Sequence, residues 1–89
     1  MLNIEFRIRM LLEIITPEKK IFEGDVTIVT FPKADGSFQV MNDHAPLVSL
    51  LKDNNVIYKS KESTQQVTIT GGVVEVLKNK VIVLADGVA

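Results

Sequence analysis

Few residue groupings in this 89-residue chain have the types that chemistry needs. His44 is the only histidine, and Asp43 precedes it. Such a pair suits general acid–base or nucleophilic work only when a third group is held at hydrogen-bond distance. The chain has no cysteine and no Gly-x-Ser-x-Gly elbow to supply that group. One histidine also falls short of a metal site unless carboxylates complete the set. In Asn42-Asp43-His44-Ala45-Pro46 the plainer role is structural: Asn and Asp bond local backbone amides, and Pro46 fixes the exit of the loop. Catalysis needs a constellation, and none is written here.

The remaining groupings read the same way. Gly71-Gly72 lacks the Gly-x-Gly-x-x-Gly spacing of a phosphate cradle and opens no helix, so its expected role is structural. Lys78-Asn79-Lys80 has the look of the modified lysine turn of biotinyl and lipoyl carrier domains, which are also small β sandwiches; solubilising charge around a tight turn is the competing reading. Tyr58 beside Lys59 and Lys61 offers a ring and two cations, but one aromatic is no platform for stacked bases. The expectation is a chain with no catalytic residue, no metal and no cofactor.

Ten Lys and Arg against eleven Asp and Glu leave a net charge of -1, without the basic excess that draws a protein to nucleic acid or to an anionic bilayer. The longest apolar runs, such as residues 81–85, are far below the roughly 20 residues that span a membrane, and no charged start followed by an apolar block reads as a signal peptide. The chain is expected in the cytoplasm, meeting a membrane only through another protein. Without disulfides, and with only about 60 to 65% of the unfolded surface buried at this length, it must rely on packing or on partners.

The elements that would position these residues are strands. Apolar residues alternate in bursts at 10–16, 25–31, 37–41, 47–51, 56–60, 65–70, 73–77 and 80–86, rich in Val, Ile, Thr and Phe. Turns are expected at Thr16-Pro17-Glu18, Ala34-Asp35-Gly36, Lys52-Asp53-Asn54-Asn55 and Lys78-Asn79. The fold expected is all-β, a two-sheet sandwich of about eight to ten short strands. Paired glycines inside Thr70-Gly71-Gly72-Val73 mark a bend where the chain crosses between sheets. Residues 65–70 are dry on one face and belong to an outer strand. Residues 73–74 and 81–84 are apolar on both, as in a central strand or one whose outer face meets a partner. The domain is read as residues 10–89; residues 1–9 alternate apolar and polar positions and serve either as an extension or as an added edge strand.

Several blocks occur in a distinctive order: Leu12-Glu-Ile-Ile-Thr-Pro, Phe22-Glu-Gly24, Asp35-Gly36, His44-Ala-Pro-Leu47, Thr70-Gly-Gly-Val-Val-Glu-Val76 and Val81-Ile-Val-Leu-Ala-Asp86. Together they make residues 10–86 similar to the epsilon subunit of F-type ATP synthase. The resemblance implies a non-catalytic rotor subunit at the foot of the central stalk, coupling the gamma subunit to the polar loops of the membrane c-ring. It implies a peripheral position on the cytoplasmic face of the inner membrane, held there by the complex. Position by position, Asp35, Gly36 and Ser37 would face the c-ring, and Thr16, His44 and Ser49 would lie toward gamma. Ser37 and Phe38-Gln39 replace the acidic and Leu-Gly residues usual in the family, and Asn42-Asp43 stands where Pro-Gly is common. Family members usually continue into two helices that restrain ATP hydrolysis; a chain ending at Ala89 implies a short or truncated form without that arm. A carrier domain, or another small β-sandwich interaction module, is the alternative.

Overall fold

The computed structural model describes residues 10–33, 36–61 and 63–89. Residues 1–9, expected as an extension or edge strand, and residues 34–35 lie outside the described residues. Among the described residues seven strands form: β1 (Met10–Ile15), β2 (Lys20–Val26), β3 (Ile28–Lys33), β4 (Gly36–Met41), β5 (Leu47–Lys59), β6 (Thr64–Leu77) and β7 (Lys80–Ala85). They hydrogen-bond in the order β2-β1-β7-β6-β5-β3-β4. Neighbours are antiparallel except β1 and β7, which run parallel from Leu11↔Lys80 to Ile15↔Leu84.

Two long strands turn this ladder into two layers. β5 and β6 pair from Leu47↔Val76 to Lys59↔Thr64, and the register skips the Lys52–Gly71 level. Gly71 and Gly72 have φ of 123° and 148°, a region closed to most side chains. At this corner the upper halves of β5 and β6 stay with β7, β1 and β2, and the lower halves go with β3 and β4. Facing residues from both layers, Leu12, Ile14, Val74, Val76, Val81 and Val83 from the first and Val29, Phe31, Val40, Val56, Tyr58 and Ile69 from the second, form one core. Phe22 of β2 meets Tyr58 of β5 across the layers, ring centroids 4.4 Å apart.

The sandwich expected from alternation is present, with its strands joined differently. The bursts at 47–51 and 56–60 are one strand, and so are those at 65–70 and 73–77. The turn expected at Lys52-Asp53-Asn54-Asn55 is therefore strand interior. Its polar side chains cost little because Lys52, Asp53 and Asn55 are exposed on the corner, and Thr68 Oγ1 donates to Asn55 Oδ1 at 2.6 Å across the ladder. The burst at 25–31 is divided instead. The Thr27 backbone N–H turns aside to donate to the Lys59 carbonyl at 2.7 Å, separating β2 from β3. Residues 65–70 do form an outer strand half: Ile69 is buried while Gln66, Thr68 and Thr70 face solvent.

Two tight connections fix the ends of the first layer. Leu77↔Lys80 brackets Lys78 and Asn79, both at positive φ as a two-residue hairpin with this twist requires. After β1, Thr16 Oγ1 accepts from the backbone N–H groups of Lys19 at 3.1 Å and Glu18 at 3.3 Å, and donates to the Lys19 carbonyl at 3.0 Å. That turn brings β2 back antiparallel to β1.

Candidate interaction surface

Alternation along each first-layer strand sends one set of side chains into the core and the other outward. Read across the register, Leu50, Val73, Leu84 and Ile15 stand at one level on the outer face. The next level holds Val48, Glu75, Ile82 and Glu13, and beyond it lie Leu77, Lys80 and Leu11. Leu50 is 80% exposed, Val48 69%, Leu84 52% and Leu77 50%. An aliphatic side chain on a solvated sheet face is ordinary when single; a contiguous set over four strands marks an interaction site.

The charges on this face are organised at one side of it. Lys20 Nζ lies 3.1 Å from Glu13 Oε2 and 2.6 Å from Glu23 Oε1, and Lys80 Nζ lies 3.7 Å from Glu13 Oε1. The Lys20 hydrogen bond holds the Glu13 carboxyl below its ordinary range. Hydrogen bonds to Glu23 and then Glu13 raise Lys20 in turn. The network ties β1 to both of its neighbours and leaves the β5–β6 side aliphatic around Glu75.

That side ends in an open edge. β5 meets β3 only over Ile28↔Lys59, Val29↔Tyr58 and Thr30↔Ile57, so among the described residues its 47–51 segment borders β6 alone.

The groupings with chemical potential resolve into structural parts. Asp43 does not orient His44: its carboxylate accepts from Asn79 Nδ2 at 3.3 Å and Asn42 Nδ2 at 3.2 Å, and its backbone N–H donates to Asn79 Oδ1 at 2.6 Å. His44 Nδ1 lies 2.7 Å from the Ala45 carbonyl oxygen, a contact within the loop. Among the described residues no group of three His, Cys, Asp or Glu is placed to hold a metal. Tyr58 is 6% exposed, a core residue rather than a stacking platform, and burial raises its hydroxyl pKa. Gly71 and Gly72 form the corner.

The residues expected toward gamma are spread over the first layer. His44 sits in the loop that leads into β5, at the Lys78–Asn79 end. Ser49 is half-buried in the middle of the open edge. Thr16 is at the other end of the strands, three strand spacings or about 14 Å across the sheet from β5. Thus His44 and Ser49 share the β5 border and Thr16 does not. Of the expected c-ring residues, Asp35 lies outside the described residues, Gly36 is the first residue of β4, and Ser37 is exposed at its second position. The outward residues Val48, Leu50 and Leu77 were not singled out from the sequence. For Val48 and Leu50 the signal was the run Leu47-Val48-Ser49-Leu50-Leu51, too apolar for a strand with one wet face; Leu77 had none of its own.

A family model described as ATP synthase, Delta/Epsilon chain, beta-sandwich domain matches residues 9–89. The chain belongs to this Delta/Epsilon family. The ATP synthase epsilon chain of Chlorobium limicola is 44% identical over 79 residues, covering 88% of this chain and 90% of that one. The epsilon chain of Campylobacter fetus subsp. fetus is 47% identical over 77 residues, covering 85% of this chain and 60% of its own length. That of Maridesulfovibrio salexigens is 37% identical over 78 residues, covering 88% and 55%. The chain thus spans most of the first relative and little more than half of the other two. Among solved structures, a chain of the Euglena gracilis mitochondrial ATP synthase, OSCP/F1/c-ring in rotational state 1, matches with a TM-score of 0.83 at 18% identity over 92% of this chain and 53% of that one. A chain of the Tetrahymena thermophila mitochondrial ATP synthase central stalk/cring matches with a TM-score of 0.76 at 18% identity, covering 90% and 65%. At that identity the likeness carries the fold, the β sandwich of the Delta/Epsilon family. Among the described residues no helix is long and apolar enough to cross a membrane.

Proposed function

We propose that this chain is a non-catalytic central-stalk subunit of an ATP synthase, joining the gamma subunit to the c-ring so that ion-driven rotation is coupled to ATP synthesis. The observation that carries the reading is the uncovered aliphatic outer face of the first layer, on a chain of the Delta/Epsilon family. Gamma covers the outer face of β5, β6 and β7. The β3–β4 hairpin, with Ser37 and the neighbouring Asp35 and Gly36, meets the polar loops of the c-ring. Membrane association, at the cytoplasmic face, is then a property of the assembly. The domain's part is mechanical: seven hydrogen-bonded strands over one core make a rigid spacer.

Magnitudes support an apolar docking site. The exposed fractions of Leu50, Val48, Leu84 and Leu77 amount to two and a half full side chains, or roughly 4–7 kcal/mol of gross burial energy before association costs. The test is co-purification with gamma. The wild-type chain is expected to bind, and the double variant Leu50→Glu, Leu84→Glu to bind about 100-fold more weakly, a loss of about 3 kcal/mol. Its stability should change by only about 1 kcal/mol, since both sites are surface positions. A wild-type chain that never binds gamma overturns the function; a double variant that binds undiminished overturns this face as the site.

A further inference from the structure

Among the described residues the outer borders of the sheet are treated very differently. β2 carries Lys20, Glu23 and Asp25, charges that discourage another strand from pairing. The lower half of β6 is covered by the chain itself: Thr70 N–H donates to the Gly87 carbonyl at 3.1 Å, Ala89 N–H donates to the Thr68 carbonyl at 2.9 Å, and Val88 bridges Ile69. β4 bears the exposed polar Ser37 and Gln39. Two borders among the described residues, β4 and residues 47–51 of β5, carry no charge, no proline and no covering segment; β4 turns Ser37, Gln39 and Met41 to solvent, whereas Leu-Val-Ser-Leu-Leu at 47–51 turns out only the aliphatic Val48 and Leu50. The latter is also the border at which the aliphatic outer face begins.

From this contrast we infer that the 47–51 edge of β5 receives an extended segment of the partner subunit, which adds a strand to the first layer. The inference rests on the docking reading above and specifies its mode. A segment of about five residues fits, since 47–51 is about 17 Å of strand. Its side chains on the outer side continue the level of Val48 and Leu50 and are therefore aliphatic. Those on the opposite side flank Leu47, Ser49 and Leu51 at the rim of the core and are small or apolar. The backbone groups of 47–51 that point away from β6 supply the ladder.

A second copy of this chain is the weaker occupant. Two such edges paired about a two-fold axis would cover a footprint of about 17 by 10 Å, far short of the roughly 800 Å² per partner that a stable dimer buries. A partner that also lies over Val73, Leu77 and Leu84 gains area from both surfaces, and this continuity favours the subunit proposed to cover that face.

The test compares amide exchange, resolved by residue, in the full chain alone and in its complex with gamma. The expected result is that alternate amides within residues 47–51 exchange freely in the free chain and slow at least 10-fold in the complex. Proline scanning supplies an independent readout. Of Val48 and Ser49, one N–H faces β6 and the other faces outward. Proline at the outward position is expected to leave the melting temperature near wild type and weaken gamma binding at least 10-fold, whereas proline at the inward position destabilises the fold. A complex whose 47–51 amides exchange as in the free chain overturns strand addition while leaving gamma docking intact. Failure of the wild-type chain to bind gamma overturns both. Protection that grows with the concentration of this chain alone assigns the edge to a second copy and also overturns the inference.

Discussion

Gly72→Ala tests whether the corner of the sandwich is built as described. Gly72 has a φ of 148°, and a Cβ there would collide with the Leu84 carbonyl oxygen and lie 2.9 Å from Ala85 Cα. Both obstacles are backbone atoms of β7, so neither can rotate away. The strained φ costs about 1–3 kcal/mol, and forcing β7 aside adds about 1–3 kcal/mol. Against a total stability of about 4–13 kcal/mol for a chain of this size, a loss of about 2–6 kcal/mol is a large share. Gly71→Ala is the control. Its φ of 123° is equally unsuited to alanine, but its Cβ would meet the Asp86 Oδ2 at 3.0 Å, the end of a side chain that can move. It should pay the φ cost alone, about 1–3 kcal/mol. Thermal melts and urea titrations should rank wild type above Gly71→Ala above Gly72→Ala, with Gly72→Ala melting at least about 10 °C below wild type. A Gly72→Ala variant that melts within about 3 °C of wild type, or above Gly71→Ala, would refute the close approach of β6 to β7 from which the cost is worked.

Two further predictions concern the turn and the ion-pair network beside the outer face. Thr16→Val keeps the shape of a residue only 8% exposed but deletes its hydroxyl bonds to residues 18 and 19; it should cost about 1–3 kcal/mol, whereas Thr16→Ser, which keeps the hydroxyl, should stay within about 1 kcal/mol of wild type in urea titration. Glu13 has its folded pKa lowered, chiefly by the Lys20 hydrogen bond, so the stability it contributes is present above the ordinary carboxyl value of 4.5 and is lost as pH falls through the lower folded value. Urea titrations across pH should therefore find wild type more stable than Glu13→Gln at neutrality, with the gap closing in acid and shrinking in high salt; a gap that persists unchanged well below that pH shows the carboxylate's charge to be irrelevant.

Alternation made the strands at 10–16, 37–41 and 80–86 legible, because each buries one face and period two records it. The corner at Gly71-Gly72 was legible because glycine pairs inside an apolar run have few other uses. β2 was not: Lys-Ile-Phe-Glu-Gly-Asp-Val mixes charge and glycine into a strand that is held by the Thr16 turn and by pairing with β1, a tertiary effect with no local pattern. The continuity of β5 through Lys52-Asp53-Asn54-Asn55 was hidden for the same reason, since the ladder with β6 overrides residues that favour turns. The parallel β1–β7 pair depends on chain topology and leaves no mark on either strand. For the candidate site, the doubly apolar runs at 73–74 and 81–84 pointed to a partner-facing strand, and the structure makes Leu84 half-exposed as that pattern suggests. The open edge was beyond reach, because whether a strand lies at a border is decided by its neighbours.

The position of the bend links the fold to the proposed docking mode. Continued in the register that runs from Ile28↔Lys59 to Thr30↔Ile57, β3 would end with Lys33 opposite Asn54, so it stops short of residues 47–51. The turn of the ladder at the Lys52–Gly71 level carries β3 and β4 away with the second layer and leaves residues 47–51 as a border of the first. The short reach of β3 and the departure of the second layer at the corner thus leave this edge unprotected. Such an edge is an aggregation risk for a free domain, so its retention fits a chain that spends its working life with that border covered.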